Sequence, residues 1–176
     1  MSDEELFPLV DEDGNQIGKA TRRECHSGTM LLHPVVHLHV FNAKGELYLQ
    51  KRSTDKDIQP GKWDTSVGGH VDYGETVENA LKREAREELG LEIADAKLLY
   101  RYIFKSRVEK ELVNTYMIVT GCQDEIKIDP VEIEEGRFWK LNDIKSRLGS
   151  GIFTPNFEME FERLMQALGQ GECGNT

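Results

Sequence analysis

The sequence predicts an α+β fold in which a mixed β-sheet packs between helices. Strand-like and helix-like segments alternate irregularly along it. The links between them include tight hairpins as well as longer crossings, so neither an all-parallel nor an all-antiparallel sheet fits. One segment, Thr76–Leu89, has a sharply amphipathic helical pattern. The 176 residues, 38% hydrophobic and 31% charged, suit one globular domain spanning 1–176.

In chain order, residues 1–30 form an amino-terminal hairpin and extension. Leu6–Val10 and Gln16–Ala20 flank the turn-forming Asp11-Glu12-Asp13-Gly14-Asn15. Val35–Phe41 alternates, with Val36, Leu38 and Val40 on one face and His37 and His39 on the other. The turn Asn42-Ala43-Lys44-Gly45 leads to a partner strand, Leu47–Gln50, and Ser53–Lys62 is a polar loop. Thr76 can cap the helix, Glu78 suits its positive end, and Gly90 stands where a left-handed stop is expected. Further strands are predicted at Lys97–Phe104, Val113–Gly121 and Arg137–Leu141. Helices follow at Asn142–Leu148 and Pro155–Leu168, and the tail, 170–176, is expected to be disordered.

Composition limits the partners. A formal net charge of −10 repels nucleic-acid backbones, and no long basic stripe offsets it, so no nucleic-acid polymer is expected. Met30–Phe41 is too short and too polar to span a bilayer, so no membrane partner is expected. Met-Ser-Asp-Glu-Glu lacks the basic and apolar parts of a secretory signal. Cys25, Cys122 and Cys173 are odd in number and form no Cys-x-x-Cys pair, which points to a reduced, cytoplasmic setting.

The charges of the helix Thr76–Leu89 stand on an unexpected side. A charge run on a helix is usually a solvated face. At 100° per residue from Val77, however, Glu84 and Glu88 fall at about 340° and 20°, inside the arc of Ala80, Leu81, Ala85 and Leu89. Glu87 lies on its edge, while Asn79, Lys82 and Arg86 point away. At roughly 4 Å and an effective dielectric near 20, each carboxylate pair costs on the order of 4 kcal/mol. A divalent cation relieves that crowding, and oxygen-only ligands suit Mg2+ or Mn2+. It would also reconcile an acidic protein with a phosphate-bearing ligand.

Gly69–Leu91 reads GHVDYGETVENALKREAREELGL and resembles the Nudix box, residues 69–91 here, written G-x5-E-x7-R-E-U-x-E-E-x-G-U with U a bulky aliphatic. Gly69, Glu75, Arg83, Glu84, Glu87, Glu88 and Gly90 match, with Ala85 smaller than the pattern asks. The resemblance implies the α/β/α sandwich of Nudix hydrolases and cleavage of a diphosphate linkage in a nucleoside diphosphate or related small molecule. It also implies metal ligands at Glu84, Glu87, Glu88 and the Gly69 carbonyl, with Arg83 orienting the carboxylates through Glu75. Glu84 and Glu87 are candidate bases, and the acidic loop with Glu132 and Glu135 is a second candidate region. A homodimer stays open.

FNAKGELYLQKRS, Pro60-Gly61-x-Trp63 and SVGGHV, with the amino-terminal hairpin, resemble isopentenyl-diphosphate isomerase and its hydrolase relatives. That likeness assigns Arg52 and Lys56 to the diphosphate. The isomerase motif Ser-Val-Cys-Gly-His has Gly68 here in place of its cysteine, and the expected Glu-x-Glu metal pair falls on Leu112 and Asn114. Glu109 and Glu111 rescue that pair only with a register shift. His26, His33 and His70 are retained, leaving a second metal open. Tyr73, Tyr102, Phe104 and Trp139 are candidate walls of a substrate pocket. Hydrolysis is the leading expectation, with isomerisation or a non-catalytic nucleotide-binding module as alternatives.

Overall fold

The computed structural model describes residues 2–121 and 125–172. Leu6–Val10 (β1) and Gln16–Thr21 (β2) pair as an antiparallel hairpin, followed by one helical turn, Arg22–Cys25 (α1). The remaining strands are Leu32–Phe41 (β3), Leu47–Arg52 (β4), Trp63–Asp64 (β5), Val67–His70 (β6), Lys97–Lys105 (β7), Lys110–Val119 (β8) and Ile133–Trp139 (β9). Among the described residues they make one mixed sheet, ordered β5-β4-β3-β8-β7, with β6 added to β3 and β9 to β4. The β3–β8 pair is parallel and the others are antiparallel. Val77–Leu89 (α2), Leu141–Arg147 (α3) and Pro155–Glu172 (α4) complete the chain.

Alternation in β3 divides the core. Val36, Leu38 and Val40 pack with Ala80, Leu81, Ala85 and Leu89 of α2. Phe41 joins Leu47, Leu49 and Trp139 beneath Phe157, Phe161 and Leu164 of α4. Odd-numbered β3 side chains therefore face α4 and even-numbered ones face α2, as period two requires.

Glu160 interrupts the apolar seam of α4. It is fully buried, and its carboxylate accepts from Thr115 Oγ1 at 2.8 Å, Tyr102 at 3.1 Å, Tyr100 at 3.3 Å, and from His37 Nδ1 at 2.5 Å and His39 Nε2 at 3.3 Å. Burial pushes Glu160 up, but His37 and His39 outweigh it and hold the carboxyl well below its usual range. A buried charge persists when paired and hydrogen-bonded this fully.

Beyond the Phe41–Leu47 contact, β3 and β4 separate and β6 enters beside β3, so the sheet forks. Ser66 closes the base of the fork: its buried Oγ accepts from Val40 N at 3.0 Å and donates to Tyr48 O at 2.5 Å.

Several boundaries differ from expectation. β8 starts three residues before Val113, and β9 starts at Ile133 rather than Arg137, so Glu134 and Glu135 belong to a strand instead of a loop. α1, β5 and β6 lacked a readable pattern, being too short or, at SVGGH, too glycine-rich. α4 continues through Glu172 beyond the expected end at Leu168; of the tail, residues 173–176, including Cys173, lie outside the described residues, as does Cys122.

Removing the bridge at the fork by Ser66→Ala leaves Val40 N and Tyr48 O without this partner. The expected loss of unfolding free energy is about 1–3 kcal/mol, read by urea denaturation. An unchanged midpoint would show that the fork is held by its strands alone.

Candidate active site

Two charged clusters flank β6. The first is built by α2 and the loop before it. Thr76 caps α2 by accepting from Asn79 N at 3.1 Å, and Gly90 ends it at φ 63°, a left-handed conformation that favours glycine. On this helix Glu84 is turned inward, its side chain 14% exposed, whereas Glu87 is 59% exposed. Glu88 is half-buried and accepts from Gln50 Nε2 at 2.9 Å and from Gly68 N at 3.4 Å. Glu84 and Glu88 thus turn inward as their projection predicts, and Glu87, on the edge of the arc, sits on the rim.

Arg83 organises this cluster. Its Nε and Nη2 donate to the two oxygens of Glu75 at 2.9 and 3.0 Å, a bidentate fork. Nη1 donates to Glu84 at 2.8 Å and Glu87 at 3.4 Å, and Nη2 also reaches the His70 carbonyl at 3.0 Å. Gly69 lies directly under Glu84: a Cβ there would stand 2.1 Å from its carboxyl carbon, so any larger residue would push this carboxylate from its place. Burial pushes Glu84 up to about 7 despite the pull of Arg83. Burial, with Glu84 nearby, pushes Glu88 up to about 8. Gln50, which touches Glu88, had no sequence signal.

The second cluster joins His26, His33, His70 and Glu111, with one potential ligand atom from each lying within 4.8 Å of the others. The parallel β3–β8 register sets His33 beside Glu111. Glu111 thus stands among the histidines, and Leu112 and Asn114 do not supply the acidic pair. Glu109 accepts from His26 Nε2 at 3.0 Å. Phe7 stacks on His70, ring centres 4.5 Å apart and 3° from parallel, so the amino-terminal hairpin clamps the cluster. His33 Nε2 and His70 Nε2 are buried without hydrogen-bond partners, 3.9 and 3.8 Å from a Glu111 oxygen. Burial lowers both rings, His70 well below its usual value, which favours the neutral form that metal coordination needs. Burial, with Glu109 nearby, pushes Glu111 up to about 7.

The remaining candidates surround the fork but do not touch the α2 carboxylates. Arg52 pairs with Asp64 at 3.5 Å and donates from Nε to the Ile58 carbonyl at 3.1 Å. Lys56 is paired with Glu132, and Lys51 with Glu134 at 3.1 Å. Glu135 is exposed on β9, opposite Lys51. Of the expected pocket walls, Tyr102 binds Glu160, Trp139 lies in the α4-side core, Phe104 packs beside Tyr102 and Val113, and Tyr73 is exposed under Lys19.

Residues 31–157 match the NUDIX domain. Over 156 residues the chain is 40% identical to the isopentenyl-diphosphate Delta-isomerase of Citrobacter koseri, covering 84% of each. It is 31% identical over 156 residues to an uncharacterized Nudix hydrolase of Listeria monocytogenes, covering 87% of this chain and 90% of that one. The crystal structure of DR0079 from Deinococcus radiodurans superposes with a TM-score of 0.76 at 27% identity, over 90% of this chain and 98% of that chain. No described helix is long and apolar enough to cross a membrane.

The folded state holds the Glu88 proton to about 8, whereas the unfolded chain releases it near 4.5. Between those values the folded state binds more protons, so stability falls as pH rises through the window. Metal-free protein is therefore expected to lose melting temperature from about pH 5 to pH 8. Glu88→Gln is expected to shrink that fall; equal falls in the two proteins would refute the buried charge.

Proposed function

Because the chain belongs to the Nudix family, we propose that it is a hydrolase cleaving a diphosphate linkage in a nucleoside diphosphate or related small diphosphate. The observation that carries this reading is the pair of inward carboxylates: Glu84, held by Arg83 over Gly69, and Glu88, held by Gln50 and the Gly68 N–H. Their raised affinity for protons is a measure of how much a cation would relieve them.

The donor set is all oxygen and suits Mg2+ or Mn2+. Glu84, Glu87, Glu88 and the Gly69 carbonyl would hold the ion, which when bound polarises phosphoryl oxygens and acidifies water. Arg83 keeps Glu84 and Glu87 oriented. Glu84, turned inward beside Arg83, and the more accessible Glu87 are the candidates on α2 to accept the proton. Glu132 and Glu135 are the other candidates for that base. Arg52 and Lys56 would bind substrate phosphate after releasing Asp64 and Glu132. This exchange of a carboxylate for a phosphate lets an acidic protein admit an anion.

A second reading, isomerisation of isopentenyl diphosphate, is favoured by the His26–His33–His70–Glu111 cluster, whose orphaned nitrogens suit a second divalent ion, and by the similar isomerase. Gly68 weighs against it, since glycine has no side chain to carry a proton.

Magnesium-dependent phosphate release is expected from a panel of nucleoside diphosphate derivatives and isoprenoid diphosphates. Glu87→Gln and Glu88→Gln should each lower it about 100-fold or more with an unchanged circular-dichroism spectrum. Full activity in both would defeat hydrolysis at α2. Rearrangement of isopentenyl diphosphate without phosphate release would establish the second reading instead.

A further inference from the structure

We propose that His37 contacts the substrate, its ring held from behind by Glu160 and its Nε2–H offered across Gly68 to an anionic oxygen of the diphosphate. This deepens the hydrolase reading and rests on it.

The direction of the ring follows from its buried end. Glu160 is fully buried, and both its oxygens are occupied by donors. At 2.5 Å from an ionised carboxylate, Nδ1 must carry a proton, which leaves Nε2 as the outward nitrogen. The side chain of His37 is 18% exposed and that of Glu160 0%, so the exposure belongs to the end away from the carboxylate. Among the described residues no hydrogen-bond acceptor for Nε2 is found, and it is absent from the buried, unpartnered atoms.

The outward end points to the right place. His37 pairs with Gly68 across β3 and β6. A Cβ on Gly68 would stand 3.5 Å from His37 Cδ2 and 3.7 Å from Nε2, so the ring leans over a residue with no side chain to cover it. The backbone N–H of the same Gly68 donates to Glu88 from the opposite edge of β6, the edge lining the fork. An anion in the fork would thus have Glu88 and its cation on one side and His37 on the other. Four of the cations around the fork are already engaged by carboxylates: Arg52 by Asp64, Lys51 by Glu134, Lys56 by Glu132 and Arg83 by Glu75 and Glu84.

The charge state agrees. Burial works against protonation of His37, but Glu160, with Glu111 and Asp64 adding, raises the ring to about 9. At neutral pH both nitrogens are then donors.

The test uses methylenediphosphonate with Mg2+, a diphosphate that cannot be cleaved. In the 15N-resolved imidazole spectrum of the wild-type protein, saturating probe should shift the Nε2 resonance of His37, assigned by its loss in His37→Gln. His39 should move much less. His37→Gln should weaken probe binding about tenfold, the equivalent of about 1.4 kcal/mol, and raise KM more than it lowers kcat. If the wild type binds the probe and releases phosphate from diphosphates while the His37 signal stays still, this inference fails and the hydrolase reading survives. If the wild type neither binds nor hydrolyses, the hydrolase reading falls and takes the inference with it.

Discussion

The α2 site depends on one guanidinium. Arg83 grips Glu75 with two parallel hydrogen bonds, steadies Glu84 and Glu87, and reaches the carbonyl of His70. It thereby fastens the helix to the loop before it and to the end of β6. Without a fixed fork of donors, three carboxylates within one helical turn would spread apart by repulsion. Lysine has the charge but not the planar geometry to hold several oxygens in set directions.

Much of this was legible in the sequence, where side-chain periodicity and charge disagree. The projection of α2 separates Glu84 and Glu88 from Arg86, and the structure turns both inward. The same projection applied to α4 sets Glu160 about 40° from Leu164, bordering the arc of Phe157, Phe161 and Leu164, a signal that sequence reasoning passed over. Its partners, His37 and His39, were correctly separated from the apolar face of β3, but a link across 121 or more residues leaves no local trace.

Register was the other limit. Pairing between β3 and β8 decides whether Glu111 or Leu112 meets His33, and a shift of one residue turns every side chain to the opposite face. Spacing to a family pattern assigned the acidic pair to Leu112 and Asn114; the parallel ladder instead sets Glu111 beside His33, and Glu109 lies against His26. Short elements such as β5 and β6 were invisible for a related reason, since two to four residues cannot display a period.

Net charge had a similar ambiguity. An overall value of −10 describes a repulsive exterior, yet the residues around the fork are arranged as opposed pairs. Such pairs are exchangeable: an incoming anion can replace a carboxylate at a lysine or arginine without leaving either side chain unbalanced, provided the displaced acid returns to water.

Gly69 and His70 are neighbours on β6, yet one lies beneath the carboxylate of Glu84 and the other stacks on Phe7 beyond the opposite surface of the sheet. A single peptide unit is all that separates the two acidic assemblies. One extra residue inserted just ahead of Gly69 would send the imidazole toward the helix and the bare backbone toward Phe7, dismantling both at once. The length of this four-residue strand is thus as tightly constrained as the identity of any ligand along it.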